Sequence, residues 1–233
     1  MTREPDGFNK RLMSYMKPVN IFRTRSKINP VLEVNLVNGK VVLDAGRSNY
    51  SFGNLHKVFR ILFNKLEIEK KEVGEALVLG FGAGSVADIL IRELKMDCRI
   101  TGVEIDEKVI EIAKRFFSAY DLPGVSVAEA DALEFIRSGT THYDLIIVDL
   151  YIENLVPGHF HSREFIGLLK KRLKEKGMVV FNKLVFDSKT GMEAEYLFET
   201  FKAYFGQVSM IRIHKTWSNR MIVAEKQSEK ETA

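Results

Sequence analysis

The chain has 233 residues, 45% hydrophobic and 28% charged, with a net charge of +4, which fits a globular protein with a sizeable core. Cys98 is the only cysteine, which excludes an internal disulfide framework and fits a reducing compartment. No run reaches the ~18 apolar residues of a membrane span, no amino-terminal apolar core marks a signal peptide, and the histidines show no ligand spacing. A cytoplasmic protein with no membrane segment and no metal is expected.

Positive charge gathers early. Arg3, Lys10, Arg11, Lys17, Arg23, Arg25 and Lys27 oppose only Glu4 and Asp6 over the first 27 residues. Without a basic surface interleaved with aromatics, this reads as a solvated or oligomer-packing arm, and nucleic acid is not expected as a partner. Val31–Val37 and Lys40–Leu43 flank Asn38-Gly39, two residues that tolerate positive φ, so a small β-hairpin unit is expected. Leu55, Val58, Phe59, Leu62, Phe63 and Leu66 then form a helical stripe with Asn54 as its cap. Tyr50 and His56 are read as incidental to that stripe.

The apolar run Ala76–Leu79 breaks into Gly80-Phe-Gly-Ala-Gly-Ser85, and Val86–Leu94 has spacing suited to a helix packed on it. A second apolar strand, Cys98–Val103, ends in Glu104, which follows Gly84 by 20 positions. That is the span expected between a nucleoside-binding turn and the acid that grips its ribose. Glycines let the turn adopt backbone angles closed to other residues and let a ligand touch the main chain. Cys98, inside the strand, reads as a core residue. Further strands are predicted near 124–128, 143–149, 177–182, 207–213 and 220–225, with helices near 85–95, 107–119, 131–137, 163–175 and 190–204. Such alternation predicts an α/β, doubly wound, mostly parallel sheet. The short link between the last two strands forces an antiparallel closing pair. Residues 1–66 form the arm, hairpin unit and linking helix, 67–226 the main domain and 227–233 a frayed tail.

Ligands of open parallel sheets lie beyond the carboxyl ends of the strands. Those ends carry Gly80–Ser85, Glu104, Glu129-Ala-Asp131, and Asp149 through Glu153. Acids at successive strand ends repel and lose hydration unless a ligand rich in donors satisfies them, and adenosine carrying a sulfonium has that character. Glu104 then accepts the ribose hydroxyls, Ile105 lies against the adenine and Asp131 accepts its amino group or caps the next helix. Asp149 orients or deprotonates an acceptor, or balances the sulfonium. The loop Tyr151–His161 should cover the site, with Tyr151 and Glu153 as candidate catalytic contacts. His159 and His161 are read individually as idle.

The GxGxG form of the turn resembles the first motif of class I S-adenosylmethionine-dependent transferases. Together with Val103-Glu-Ile-Asp-Glu-Lys-Val-Ile110, Glu129-Ala-Asp-Ala132 and Tyr143-Asp-Leu-Ile-Ile-Val-Asp149, it resembles the motif series of the spermidine synthases, the polyamine aminopropyltransferases, over about Leu77 to Asn182. The resemblance implies a methyltransferase-type seven-stranded sheet behind a small β-unit, and a homodimer. It implies cofactor contacts at Gly80, Gly82, Ala83, Gly84, Glu104, Ile105, Asp131, Ala132 and Asp149, with Asp149 at the position of the catalytic acid. Three departures stand out. Ala83 replaces the aspartate that holds the amino group of decarboxylated S-adenosylmethionine. Ile152 replaces a second polyamine-binding aspartate. Arg47–His56 replaces a glutamine and a Tyr-His-Glu segment. Losing these acids weakens the grip on a chain of cations, and Ala83 is expected to leave room for a cofactor carboxylate.

The expectation is therefore an S-adenosylmethionine-dependent transferase of the spermidine synthase-like group, moving a methyl group to a small-molecule acceptor. Aminopropyl transfer from decarboxylated S-adenosylmethionine is the alternative. A non-catalytic nucleoside-binding scaffold is the second.

Overall fold

The computed structural model describes residues 8–46, 48–152, 155–214 and 218–228. After a short helix α1 (Phe8–Met13), four antiparallel strands pair in chain order: β1 (Val19–Thr24), β2 (Leu32–Val37), β3 (Lys40–Ala45) and β4 (Ser48–Ser51). The expected hairpin is β2–β3, closed by Asn38 and Gly39 at φ 49° and 72°. Both positive angles match the right-handed twist of the strands. The unit is larger than the hairpin expected from sequence. Partly exposed β1 and the four-residue β4 carry too little alternation to stand out.

The linking helix α2 (Gly53–Leu66) buries Val58, Phe59, Leu62 and Phe63, the stripe read from sequence. Its cap is Phe52 rather than Asn54, and no side chain caps it. The Phe52 N–H donates instead to Ser85 Oγ.

The main sheet has seven strands: β5 (Glu75–Leu79), β6 (Arg99–Glu104), β7 (Val125–Glu129), β8 (Tyr143–Val148), β9 (Leu173–Val185), β10 (Gln207–His214) and β11 (Ser218–Glu225). Their spatial order is β10-β11-β9-β8-β5-β6-β7. The strands from β9 to β7 are parallel, while β11 pairs antiparallel with both β9 and β10. The central strands β5, β6 and β8, buried on both faces, read as continuous apolar runs.

The helix after β5 is wider than expected. Ser85–Ala87 passes directly into a π-helical stretch, Asp88–Glu93, where Leu94 N–H donates to Ile89 O; together they are α3. The helices α4 (Glu107–Phe116), α5 (Ala132–Ser138), α6 (Arg163–Arg172) and α7 (Ser188–Tyr204) follow the sequence reading, except that α4 and α6 each end three residues early, α4 because Phe117 is extended and α6 because β9 begins at Leu173. Among the described residues no helix is long and apolar enough to cross a membrane.

One core lies under α2 and α3, a second under α5, α6 and α7, and a third joins β2 and β3 to α4 and Ala83. The third clamps the amino-terminal sheet onto the glycine turn. Asp106 reinforces it, accepting from Ser26 Oγ and Asn29 Nδ2 at 2.5 and 2.7 Å while capping α4 through Lys108 N–H. Cys98 is buried beside Asp97, and burial pushes its thiol up to about 11, as befits a core residue.

Candidate active site

Strand order reverses at β5, which has β6 on one side and β8 on the other, and a crevice opens beyond such a switch point. The chain turns there at Gly80. A side chain at Gly80 would place its Cβ 2.2 Å from the Asp149 carbonyl oxygen, and the residue sits at φ 83°, so only glycine fits. Gly80 and Phe81 N–H both donate to Val103 O at 2.9 Å, tying the turn to β6. Gly82 follows at φ 56°, its carbonyl accepting from Tyr120 Oη at 2.8 Å.

Glu104 ends β6 with its carboxylate aimed at this turn. Oε2 accepts from Gly82 N–H at 2.9 Å and Oε1 from Asp106 N–H at 3.0 Å. The residue is 2% exposed. Burial holds its carboxyl above the usual range, while the Asp106 and Gly82 amides pull it back down. Ile105 beside it is 48% exposed, an apolar surface of the kind an adenine ring needs. Asp131 caps α5, and both cap bonds fall on Oδ1, from Leu133 N–H and Glu134 N–H, so the cap uses one oxygen of the two. Ala132 is buried in the second core.

Asp149 follows β8 directly, its N–H donating to Leu79 O at 2.9 Å. Burial pushes its carboxyl up to about 7 and Glu104 adds to the rise, while Asn182 opposes them by donating Nδ2 to Oδ1 at 2.8 Å. Asn182 Oδ1 in turn accepts from Asn219 Nδ2 at 3.0 Å.

The other candidate residues fall in different settings. Tyr151 does not offer a free hydroxyl: Oη donates to Asn182 O and accepts from Leu184 N–H, each at 2.8 Å, strapping the loop to β9. Ala83, expected to border a cofactor carboxylate, is 0% exposed and its side chain packs in the third core. Glu153 lies outside the described residues. His161 is held neutral, pushed down to about 4 by burial and by Lys183.

Tyr50, taken as incidental from sequence, lies over the turn. Its Oη stands 3.4 Å from Glu104 Oε1, and Ser51 Oγ meets Ser85 Oγ at 3.0 Å. Burial and the Glu104 charge push the Tyr50 hydroxyl well above its ordinary value, so it stays protonated. Phe52 holds this corner at φ 65°, ψ −162°, a strained conformation for a residue with a side chain. No local pattern announces these contacts. Asn182, Asn219 and Ser85 left only a faint trace, as polar residues set among apolar runs or standing where a third glycine is usual.

Residues 62–231 match the family model described as Spermine/spermidine synthase domain. A probable polyamine aminopropyl transferase of Bifidobacterium longum is 31% identical over 156 residues, 65% of this chain and 33% of that protein. A polyamine aminopropyltransferase of Vibrio vulnificus is 30% identical over 151 residues, 64% of this chain and 49% of that protein. The chain thus matches at most about half the length of these curated relatives. A crystal structure of a spermidine synthase in complex with the transition-state analogue AdoDATO shares the fold, with a TM-score of 0.66 at 17% identity over 90% of this chain and 74% of that one. With the family model covering most of its length and the turn, Glu104 and Asp149 meeting at one switch point, the chain belongs to the spermine/spermidine synthase family.

Proposed function

We propose that the chain transfers an aminopropyl group from decarboxylated S-adenosylmethionine to an amine acceptor, with Asp149 taking the proton from the attacking nitrogen. The observation that carries this reading is the pair of carboxylates beside one glycine turn: Glu104, fixed by Gly82 N–H, and Asp149, whose main-chain carbonyl leaves no room for a side chain at Gly80 and whose carboxyl feels the Glu104 charge.

The residues present fit an adenosyl donor. A buried carboxylate held by main-chain amides suits two ribose hydroxyls, the exposed face of Ile105 suits an adenine ring, and Asp131 keeps an oxygen for the adenine amino group. When bound, the donor supplies a sulfonium that makes the neighbouring carbon electrophilic and departs as a neutral thioether. The chain has to orient the acceptor, exclude water and free a nitrogen lone pair. An alkylammonium has none. A carboxyl raised to about 7 is matched to taking that proton near neutrality, where an ordinary aspartate is a much weaker base.

Methyl transfer, the reading favoured by sequence, loses its support. It rested on the missing polyamine-binding acids and on space at Ala83, whereas the matching family model and the curated relatives carry spermidine synthase and aminopropyltransferase names. The scaffold reading leaves unexplained why an acid at the crevice is shifted toward neutrality, since binding alone does not require it. A cytoplasmic homodimer acting on a polyamine belongs to the same proposal.

The test incubates the full chain with a diamine and each donor in turn. Methylthioadenosine and an aminopropylated amine from the decarboxylated donor are expected. S-adenosylhomocysteine formed from S-adenosylmethionine, or no product from either donor, overturns the proposal.

A further inference from the structure

We infer that Asn219 is a positioning residue for Asp149: its amide N–H, 3.0 Å from Asn182 Oδ1, fixes the orientation in which Asn182 donates to the carboxylate. The inference rests on the reading of Asp149 as the proton acceptor.

Asp149 directly follows β8, Asn182 lies within the carboxyl-terminal part of β9 and Asn219 near the start of β11, and the strand registers put all three on one face of the sheet. Asn182 is 1% exposed and Asn219 is 7% exposed, among apolar neighbours. Buried carboxamides are unfavourable in strands unless both ends are satisfied.

A carboxamide has a donating and an accepting end, and burial alone does not choose between them. Here the choice has chemical consequences. With the NH2 group toward Asp149, the ionised carboxylate is favoured. With the carbonyl toward Asp149, only the protonated acid can bridge the gap. Asn219 restrains the choice: with its NH2 group on the Asn182 carbonyl, reversing Asn182 alone would set two donors face to face. Tyr151 steadies the Asn182 main chain from the other side, through its hydroxyl to Asn182 O.

The groups that act on Asp149 leave Asn182 as its one compensating contact among the described residues. Glu104 at the end of β6 raises it, and the hydroxyls of Tyr50 from β4 and Tyr151 from the following loop are both kept protonated. No cation is among the causes that shift it. The ionised state of Asp149 therefore depends on one amide held the right way round.

The test titrates the Asp149 carboxyl carbon by NMR in the full chain, with no donor or acceptor present. Asn182→Leu removes the direct donor and should raise the midpoint by about one pH unit. Asn219→Leu, which touches nothing on Asp149, should raise it comparably, and the double variant should add little beyond Asn182→Leu alone. Asn219→Ser, too short to reach Asn182, gives the same reading if the leucine variant does not fold. A midpoint unmoved in the Asn219 variants, whatever their melting temperatures, overturns the inference, as does an Asn182→Leu titration identical to wild type. Because no turnover is measured, an inactive wild-type chain would sink the proposed function without touching this result.

Discussion

The Tyr50 hydroxyl stands 3.4 Å from Glu104 Oε1, the oxygen that already accepts from Asp106 N–H. Each carboxylate oxygen takes about two good hydrogen bonds, so the Asp106 N–H and the Tyr50 hydroxyl together fill Oε1. Two ribose hydroxyls need one place on each oxygen. Tyr50 must yield before a nucleoside can be gripped on both sides.

Tyr50→Phe should therefore bind methylthioadenosine more tightly, by roughly fivefold for about 1 kcal/mol of hydrogen bond no longer broken. Calorimetry reads this directly. Weaker binding in the variant would mean that the hydroxyl assists the ligand instead of competing with it. Glu104→Gln, whose NH2 group would face a main-chain N–H, should lose binding by roughly ten- to a hundredfold.

Asp149 sets a pH dependence of opposite sign for activity and stability. Transfer needs the ionised form, so the rate should climb as pH rises through about 7. The folded chain holds that proton to higher pH than the unfolded chain does, so stability should fall between about pH 4 and 7, by at most about 4 kcal/mol. Asp149→Asn should flatten this dependence and raise the melting temperature at pH 8, while lowering transfer by roughly 10²–10⁴-fold. Melting curves across that pH range, taken beside turnover, check both signs. A variant no more stable than wild type at pH 8 would show that burial of the charge has been overstated.

Ala83→Asp separates the packing seen here from the open space expected of the turn. A carboxylate placed among the apolar side chains of β2, β3 and α4 should cost several kcal/mol, seen as a large fall in melting temperature. An unchanged melting temperature with a gain in affinity for the decarboxylated donor would place that side chain in the crevice.

Asp106→Ala should loosen the amino-terminal sheet. It removes the cap of α4 and leaves the buried Asn29 amide without its acceptor, together worth about 2–4 kcal/mol. Limited proteolysis should find a new cut near Ser26–Asn29. Wild-type resistance there would mean that the third core alone holds the sheet in place.

Much of this architecture was legible one segment at a time. Alternating apolar runs marked the strands of the main sheet, because burial on both faces leaves continuous hydrophobic stretches. Asn38-Gly39 marked its hairpin because few residues accept two successive positive φ angles. Gly80 and Glu104 were recognisable because a turn that touches the main chain of its neighbour needs glycine, and the acid lies one strand–helix–strand unit downstream. The four-residue β4 and the cap at Phe52 carried no such pattern, since each is held by groups outside its own segment, and the π-helical stretch after Ser85 keeps the apolar spacing of an ordinary helix.

The sequence by itself determined which chemistry gathers at the strand ends, since periodicity, glycine tolerance and acid placement are properties of a few neighbouring residues. Tertiary structure alone decided what those groups face. Tyr50 reaches Glu104 across 54 positions and Asn219 reaches Asn182 across 37, while Ala83 turns toward a core supplied by other segments. Side-chain direction at such sites is settled by packing between remote elements, and no local pattern encodes it.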